Sequence, residues 1–304
     1  MKEPIIHEVG LRDGLQIEKQ ILTLEEKIEL AEMLIDSGVK IIQLGSFVHP
    51  KKVPQMANTD ALFQKLQNST NKKDDIAFSG LVLNERGFER GLACGVEMFC
   101  LGVSASNTHS QKNTGMTTAE ALNQILPLIK SALSQNKKVQ VSVQSAFGCG
   151  YEGAIDKSIV LDIVKRYLDA GAKMISLADT AGYAYPDQVH ELFSSVKELD
   201  DEIELVCHFH DTFGLGMLNC YEAYKTGVRY YETSFGGLGG CPFTKIASGN
   251  VCTEDLVYLF KRIGINEMPN IDILLKIVKK LSVSLNRNFS GRLFQAGKPH
   301  LEGI

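Results

Sequence analysis

Two histidines at the end of a predicted strand are the residues of this chain with the clearest chemistry. His208 and His210 follow an apolar run at 203–207 and precede Asp211. Side chains alternate between the faces of a strand, so residues two apart point the same way. Two imidazoles on one face can hold a single metal ion, although such a pair taken alone is more often structural.

Other polar residues fall where predicted strands end, and they could complete such a site. Arg12 and Asp13 follow the first strand, Asp179 ends the sixth, and Asn250 follows a glycine-rich segment. One carboxylate, two imidazoles and one amide oxygen favour Mg²⁺ or Mn²⁺ over zinc. The predicted ligands of this ion are Asp13, His208, His210 and Asn250.

Two of the candidate catalytic residues also have a simpler interpretation. Asp179 could cap the turn that follows its strand instead of acting on a ligand. Cys241 could be an inert thiol, and the glycines before it could form a simple turn. In a flexible glycine loop above the strand ends, however, Cys241 is also a candidate catalytic thiol.

A repeated pattern indicates the elements that must position these residues. Each copy has a glycine after an amphipathic stretch, then a small residue, a charge and an apolar run; the glycines are Gly38, Gly95, Gly171 and Gly227. Such a glycine is typical of a helix that ends in a left-handed cap before a strand. The spacing leaves room for one more strand and helix between copies.

The complete pattern predicts eight strands that alternate with helices. The strands are predicted near 4–9, 39–45, 76–82, 96–103, 138–146, 173–178, 203–210 and 228–235. Helices are predicted at 24–37, 118–135, 156–170, 186–198, 253–262 and 271–286. Parallel strands over 304 residues favour a closed (β/α)8 barrel, a TIM barrel, and an open doubly wound sheet is the alternative.

The predicted barrel explains how distant residues meet. Closure places strand 1 beside strands 7 and 8, and chemistry in such barrels sits at the carboxyl ends of the strands. We expect one catalytic domain over 1–304, with the barrel over about 4–265 and additional C-terminal helices over about 266–304.

Composition and charge exclude several classes of partner. A net charge of −4 argues against nucleic acid, whose phosphates require a basic face. No window approaches the roughly 18 apolar residues of a membrane span, and no leader segment is recognisable. The seven cysteines, an odd number, indicate reduced thiols. We therefore expect a cytoplasmic protein, and also a homodimer.

The motifs at these positions resemble those of the 3-hydroxy-3-methylglutaryl-CoA (HMG-CoA) lyase family, within a larger group of metal-dependent barrel lyases. The matching stretches are EVGLRDGLQ (8–16), SFVHPKKVPQM (46–56), GCGYEG (148–153), ISLADT (175–180), CHFHDT (207–212), GLGGCPF (237–243) and GNVCTED (249–255). They cover nearly the whole predicted barrel in order, and the stretch around Cys241 is highly specific.

The resemblance implies an activity and residue roles. The implied reaction is retro-Claisen cleavage of HMG-CoA, or a related 3-hydroxyacyl-CoA, to acetyl-CoA and a 3-keto acid such as acetoacetate, with Mg²⁺ or Mn²⁺ bound. Arg12 would stabilise the enolate oxygen, Asp179 and His208 would transfer protons, and Cys241 would help to close and protonate the site. Further implied residues of the pocket and its surroundings are Gln16, Gln43, Gln140 and Glu254.

Three departures from the family pattern leave the substrate open. Gln43 stands where the lyases carry glutamate, Gln140 where they commonly carry arginine, and Asn107 where glutamate is expected. Glutamine is nearly isosteric with glutamate but lacks its charge. A lyase with a different acyl group, or a Claisen-type condensing enzyme of the same superfamily, is therefore the alternative. A third hypothesis is a barrel that binds metal without catalysis.

Overall fold

A ring of eight parallel strands forms the centre of the computed structural model, which describes residues 3–240 and 249–299. The strands are β1 (Ile5–Glu8), β2 (Ile41–Ser46), β3 (Ala77–Leu81), β4 (Met98–Ser104), β5 (Lys138–Gln144), β6 (Met174–Asp179), β7 (Glu204–Phe209) and β8 (Tyr230–Thr233). Ile5 of β1 lies opposite Tyr230 of β8, so the sheet closes on itself. The predicted barrel is confirmed, and the open sheet is wrong.

Helices follow the strands and continue beyond the barrel. They are α1 (Leu24–Ser37), α2 (Thr59–Gln67), α3 (Glu85–Ala93), α4 (Asn107–Thr114), α5 (Thr118–Ser134), α6 (Lys157–Asp169), α7 (Pro186–Lys197), α8 (Gly216–Thr226), α9 (Thr253–Arg262), α10 (Ile271–Ser284) and α11 (Arg292–Ala296). Helix α10 packs against α1. The expected limits of barrel and extension, about 4–265 and 266–304, stay predictions. Among the described residues, none of the helices has the length and apolar character needed to cross a bilayer.

Local sequence explains where the helices begin and end. Thr23 and Glu26 form a capping box at the start of α1, since Thr23 Oγ1 accepts the Glu26 N–H and a Glu26 carboxylate oxygen accepts the Thr23 N–H. The four glycines of the repeated pattern all have positive φ, as predicted: Gly38 (88°), Gly95 (77°), Gly171 (92°) and Gly227 (97°). These turns direct each helix into the next strand of the barrel.

Three layers of four side chains fill the inside of the barrel. The lowest layer is apolar and consists of the first residues of the even strands, Ile41, Met98, Met174 and Tyr230. Above it lie the third residues of the odd strands, His7, Ser79, Gln140 and Val206. The third residues of the even strands come next, Gln43, Cys100, Ser176 and Glu232. Branched apolar residues usually dominate such layers, so two largely polar layers indicate a hydrogen-bonded network beneath the strand ends.

Candidate metal centre

Arg12 and Asp13 lie in a π-helical turn, Gly10–Gly14, directly after β1. The backbone N–H of Asp13 donates to the carbonyl of Val9 at 2.7 Å, and that of Gly14 donates to the same oxygen at 3.3 Å. Turns of this kind are rare and often occur at functional sites. At the end of the barrel, the Arg12 guanidinium donates to Asp13 and to Gln43. The turn therefore fixes a cation and a carboxylate side by side.

Asn250 reaches the site through a short segment that pairs with the end of β7. The N–H of Asp211 donates to the carbonyl of Gly249 at 2.7 Å, and an antiparallel bridge sets Asn250 opposite His210. Closure of the barrel predicts that this region is near β7 and β1, but it does not predict the bridge. The bridge fixes the amide next to the second histidine.

The predicted metal ligands lie together and are called the metal cluster below: Asp13, His208, His210 and Asn250. One ligand atom from each of Asp13, His208 and His210 lies within 4.8 Å of the others. The Nε2 atoms of His208 and His210 are 3.2 Å apart. Asn250 joins the group because its Nδ2 donates to Asp13 Oδ2 at 2.8 Å. The structure thus brings the four residues to one place.

The donor atoms of the metal cluster fit a divalent cation. Two imidazole nitrogens bound at a right angle to one ion, about 2.1 Å away, are about 3 Å apart, close to the separation in this cluster. Nδ2 of Asn250 donates hydrogen bonds to Asp13 Oδ2 and to the carbonyl oxygen of Leu238. Its buried Oδ1 has no hydrogen-bond partner among the described residues. A buried acceptor without a donor is available to a cation.

Charges within the metal cluster shift the pKa values of its members. Burial alone would raise the pKa of Asp13, but the charges of Arg12 and the two histidines lower it well below its usual range. Burial lowers the pKa of His210 to about 4. Burial also acts to lower the pKa of His208, but the nearby Glu232 carboxylate outweighs it and raises the value. An ionised Asp13 and a neutral His210 are the forms that bind a metal ion.

Asp179 ends β6 next to the strand that carries His208. Its carboxylate oxygens accept the backbone N–H groups of Tyr183 at 2.8 Å and Ala184 at 3.0 Å, so the residue caps the following turn. Burial raises the pKa of Asp179 to about 6 in spite of these bonds. The cap is present, and the raised pKa also suits a group that exchanges a proton near neutral pH.

Gly239 and Gly249 bring together the described residues on either side of the segment 241–248. A Cβ atom on Gly249 would lie 2.6 Å from the carbonyl oxygen of Gly239, so a side chain has no room there. A Cβ atom on Gly239, at φ 117°, would lie 2.5 Å from Nδ2 of Asn250. The described residues on either side of the segment that contains Cys241 therefore lie beside the metal cluster.

Comparison with known proteins gives the family of this chain. The HMGL-like family matches residues 3–280. The chain belongs to the HMGL-like family. Its curated relatives include mitochondrial hydroxymethylglutaryl-CoA lyase of Homo sapiens, which is 36% identical over 96% of this chain and 88% of its own length. They also include (R)-citramalyl-CoA lyase of Chloroflexus aurantiacus, 34% identical over 98% of this chain and 96% of its own.

A solved structure shares the barrel of this HMGL-like chain. The structure of an HMG-CoA lyase from Acinetobacter baumannii, in complex with coenzyme A and 3-methylmalate, matches with a TM-score of 0.91 and 36% identity. The match covers 99% of this chain and 98% of the other. The predicted family, fold and enzyme class, a carbon–carbon lyase, are therefore confirmed.

The two glutamines that depart from the family pattern lie at different depths in this HMGL-like barrel. Gln43 is buried and accepts the N–H of Arg12 Nε. A register shift between β2 and β3 begins at Gln43, which is typical of a bulge that re-aims a side chain beside a site. Gln140 lies one layer lower, where its Nε2 donates to Glu232 Oε1 at 2.9 Å.

The other predicted site residues lie away from the metal cluster or outside the described part. Glu254 is buried and accepts the N–H of Gly236 at 3.0 Å, at the base of the glycine-rich loop. Gln16 is half-buried in the turn after Asp13. Asn107 is exposed and accepts the N–H of Thr118, which joins α4 to α5. Cys241 lies outside the described residues.

Glu232 faces the candidate centre and His7 lies one layer below it, but neither is among the predicted site residues. Glu232 Oε2 lies 3.5 Å from Nδ1 of His208, and His7 Nδ1 lies 3.1 Å from Gln140 Oε1. Burial would raise the pKa of Glu232, but the hydrogen bond and charge of His208 lower it to about 2. Alternation along β1 and β8 could have placed both inside the barrel, but neither lies in a strand-end motif.

Proposed function

We propose that this chain is a divalent-metal-dependent lyase that cleaves HMG-CoA, or a related 3-hydroxyacyl-CoA, to acetyl-CoA and a keto acid. With HMG-CoA the second product is acetoacetate. The observation that carries the proposal is the convergence of Asp13, His208 and His210 beside Arg12, at the carboxyl end of the barrel. Relatives that are named HMG-CoA lyases, matched over nearly the full length, support it.

The proposed reaction needs a stabilised negative charge, and Arg12 suits that role. Cleavage breaks the C2–C3 bond of the substrate, and the electron pair of that bond forms the enolate of acetyl-CoA. The Arg12 guanidinium, fixed by Asp13 and Gln43, is a preorganised donor for the enolate oxygen. The metal cluster would hold Mg²⁺ or Mn²⁺, which when bound supplies a Lewis acid for the substrate hydroxyl.

Two proton transfers complete the proposed reaction. The tertiary hydroxyl must lose its proton, and the enolate carbon must gain one. We assign the first transfer to Asp179, whose pKa is near 6, with His208 on the neighbouring strand as a ligand of the metal ion. We assign the second to Cys241, because the described residues on either side of its segment, Gly239 and Gly249, lie beside Asn250.

Gln43 favours a second substrate, a citramalyl-CoA. A neutral glutamine leaves the positive charge of Arg12 less compensated than a glutamate would. The carboxylate of a citramalyl-CoA lies directly on the hydroxyl-bearing carbon, one methylene closer than in HMG-CoA. An extra positive charge near the reacting carbon therefore suits the shorter acyl group, and the relative from Chloroflexus aurantiacus is named for it.

A substrate panel tests the proposal. We expect the purified protein with Mn²⁺ to release acetyl-CoA from HMG-CoA or from a citramalyl-CoA, and Asp13→Ala to abolish the release. We expect Gln43→Glu to shift the ratio of kcat/KM towards HMG-CoA. Absence of cleavage across the panel overturns the proposal. Thiol release from acetyl-CoA and a keto acid would instead support the condensing alternative, which the named relatives do not favour.

We also propose that the protein is a homodimer. Tyr183 and Phe213, whose ring centroids are 5.8 Å apart, form an exposed aromatic pair, and Leu218 of α8 is a further exposed apolar residue, 51% exposed. Exposed apolar patches commonly mark interfaces between chains. Light scattering coupled to size exclusion should give twice the mass of the chain, and Leu218→Glu should reduce it to one chain.

A cytoplasmic location and a small-molecule partner complete the proposal. The six described cysteines are buried free thiols, which suits a reducing compartment. The negative net charge supports the absence of a nucleic-acid partner. Fractionation of source cells tests the cytoplasmic location, and a mobility-shift assay tests the absence of nucleic-acid binding.

A further inference from the structure

Five polar residues inside the barrel form a network directly beneath the metal cluster. The supporting network consists of His7, Ser79, Gln140, Ser176 and Glu232. Glu232 is the residue that connects it to the cluster, because its Oε2 faces Nδ1 of His208 at 3.5 Å. All five side chains are buried, with His7 fully enclosed. A buried network of this kind is stabilising only when every polar group has its partner.

The hydrogen bonds of the supporting network can run in only one direction. Gln140 Nε2 donates to Glu232 Oε1 at 2.9 Å, so the amide oxygen of Gln140 faces His7. His7 Nδ1 must then donate to that oxygen, at 3.1 Å. The other ring nitrogen, Nε2, accepts the hydroxyl proton of Ser79 at 2.7 Å. Burial lowers the pKa of His7 to about 4, which agrees with the neutral ring that this pattern requires.

The direction of these bonds decides which nitrogen of His208 carries a proton. A carboxylate only accepts hydrogen bonds, and Glu232 Oε2 already accepts one from Ser176 at 2.8 Å. His208 Nδ1 faces this same oxygen, so Nδ1 carries the proton. When the ring of His208 is neutral, as metal binding requires, its lone pair is then on Nε2, which is the atom that lies 3.2 Å from Nε2 of His210. A hydrogen bond at one ring nitrogen sets the role of the other.

His210 provides a contrast within the same site. Its Nδ1 is buried and has no hydrogen-bond partner among the described residues. Among the described residues, no partner on Nδ1 therefore orients the ring of His210, whereas a charged partner faces Nδ1 of His208. Of the two imidazoles, only His208 is tied to the interior of the barrel by this network.

We propose that Glu232 is a positioning residue that holds the proton of His208 on Nδ1, keeps Nε2 for the metal ion, and is itself held by Gln140 and His7. The inference rests on the metal site of the proposed function and deepens it. Removal of a carboxylate that orients a ligating histidine typically weakens metal binding about 10–100-fold. Glu232→Gln and Gln140→Met should therefore both weaken metal binding. Gln140 contacts Glu232 and His7 but none of the predicted metal ligands.

Two measurements test the proposal on the whole chain. Calorimetric titration with Mn²⁺ gives the affinity of the wild type, Glu232→Gln and Gln140→Met. Nitrogen–proton correlation NMR of isotope-labelled histidine shows which ring nitrogens are protonated, and His208→Asn identifies the signal of His208 among the seven histidines. We expect a proton on Nδ1 of His208 in the wild type, a bare Nδ1 in part of the Glu232→Gln population, and about 10–100-fold weaker binding in that variant.

A neighbouring variant separates positioning from a general loss of packing. Thr233→Val removes a buried hydroxyl from the same strand, where it bonds to Thr253 and not to the network. We expect this control to lose stability but to keep the metal affinity and the NMR signature. Equal loss of affinity in Thr233→Val and Glu232→Gln overturns the proposal.

The remaining outcomes also decide the question. If Glu232→Gln folds, binds Mn²⁺ as tightly as the wild type and keeps the Nδ1 proton of His208, the proposal is overturned. If Glu232→Gln does not fold, the Mn²⁺ affinity of Gln140→Met decides the question instead. No Mn²⁺ binding by the wild type would reject the metal function itself. In that case NMR still tests the role of Glu232, because a bare Nδ1 in the wild type overturns the inference.

Discussion

The metal cluster and the supporting network are adjacent polar regions of one barrel, but they differ in how completely their hydrogen bonds are made. Every side chain of the network has partners, for example both oxygens of Glu232 and both nitrogens of His7. In the metal cluster, Asn250 Oδ1 and His210 Nδ1 have none among the described residues.

This difference shows how to separate a site from its support. A buried polar atom without a partner costs free energy, and where such atoms lie among possible metal ligands, a bound ion can supply the missing interaction. A satisfied network stabilises one arrangement and leaves no atom for a ligand. We therefore expect substitutions in the metal cluster to change activity most, and substitutions in the supporting network to change stability as well.

Asp13→Asn gives the largest expected effect and tests the cluster side of this comparison. The amide keeps the size of the side chain but removes the charge that a cation requires, so we expect turnover and Mn²⁺ binding to be lost. The thermal midpoint without added metal should change little. Calorimetry, steady-state assays and differential scanning fluorimetry measure the three quantities. Asp75→Asn, on the surface, is the matched control and should behave as the wild type.

Arg12→Ala should slow the reaction by about 10²–10³-fold, the usual result of removing one donor to a developing negative charge. The guanidinium is not a predicted metal ligand, so Mn²⁺ affinity should fall far less than in Asp13→Asn. Kinetic assays and calorimetry give both values, with Arg86→Ala as an exposed control. An Arg12→Ala enzyme of normal rate would remove Arg12 from the chemistry.

Ser79→Ala tests the network side. The change leaves Nε2 of His7 without its donor, and an unsatisfied buried group costs about 1–3 kcal/mol. We expect urea unfolding to show this loss of stability, and calorimetry to show a smaller loss of metal affinity than Glu232→Gln. Ser134→Ala, at the end of α5, serves as the control. A loss of metal binding without a loss of stability would contradict the distinction between the two regions.

Glu254 is an instructive exception, because its Oε1 is also buried without a hydrogen-bond partner in the described part of the chain. Burial raises the pKa of Glu254 to about 8, so the carboxyl is neutral at pH 7, and a neutral group costs less to bury without a partner than a charged one. Because the pKa of Glu254 is higher in the folded state than the ordinary 4.5, its protonation stabilises the fold. This stabilisation is complete below pH 4.5 and is lost as the pH rises to about 8.

We expect Glu254→Gln to remove that part of the pH dependence. Wild type and variant should have similar thermal midpoints near pH 5, and the wild type should fall below the variant by pH 8. Differential scanning fluorimetry across this range measures the effect. A parallel decline of the two proteins would show that Glu254 is ionised in the fold.

Much of the barrel could be predicted because its signals are local. The capping residue Thr23 and the glycine Gly38 delimit α1 at the residues expected, 24–37. The metal cluster was also predictable, since parallel strands place their carboxyl ends together and His208 and His210 stand at such an end. These features depend on short stretches of sequence and on the topology alone.

The supporting network could not be predicted in the same way. Contacts such as that of His7 with Gln140 join β1 and β5 across the barrel, and they depend on the stagger of the strands. The π-helical turn at Gly10–Gly14 and the bridge that places Asn250 likewise come from tertiary packing. Each turns a side chain in a direction that the pattern of apolar residues does not encode.

Because Gly239 and Gly249 are in close contact, the nine residues between them form a loop whose two flanking positions meet. The contact between the two glycines does not depend on the length of the chain that joins them. Doubling the length of such a loop adds only about 0.6 kcal/mol to the free-energy cost of closing it. The length of this loop could therefore change at little cost to the barrel, provided that Cys241 is kept. Loop length and fold stability can in this way vary separately.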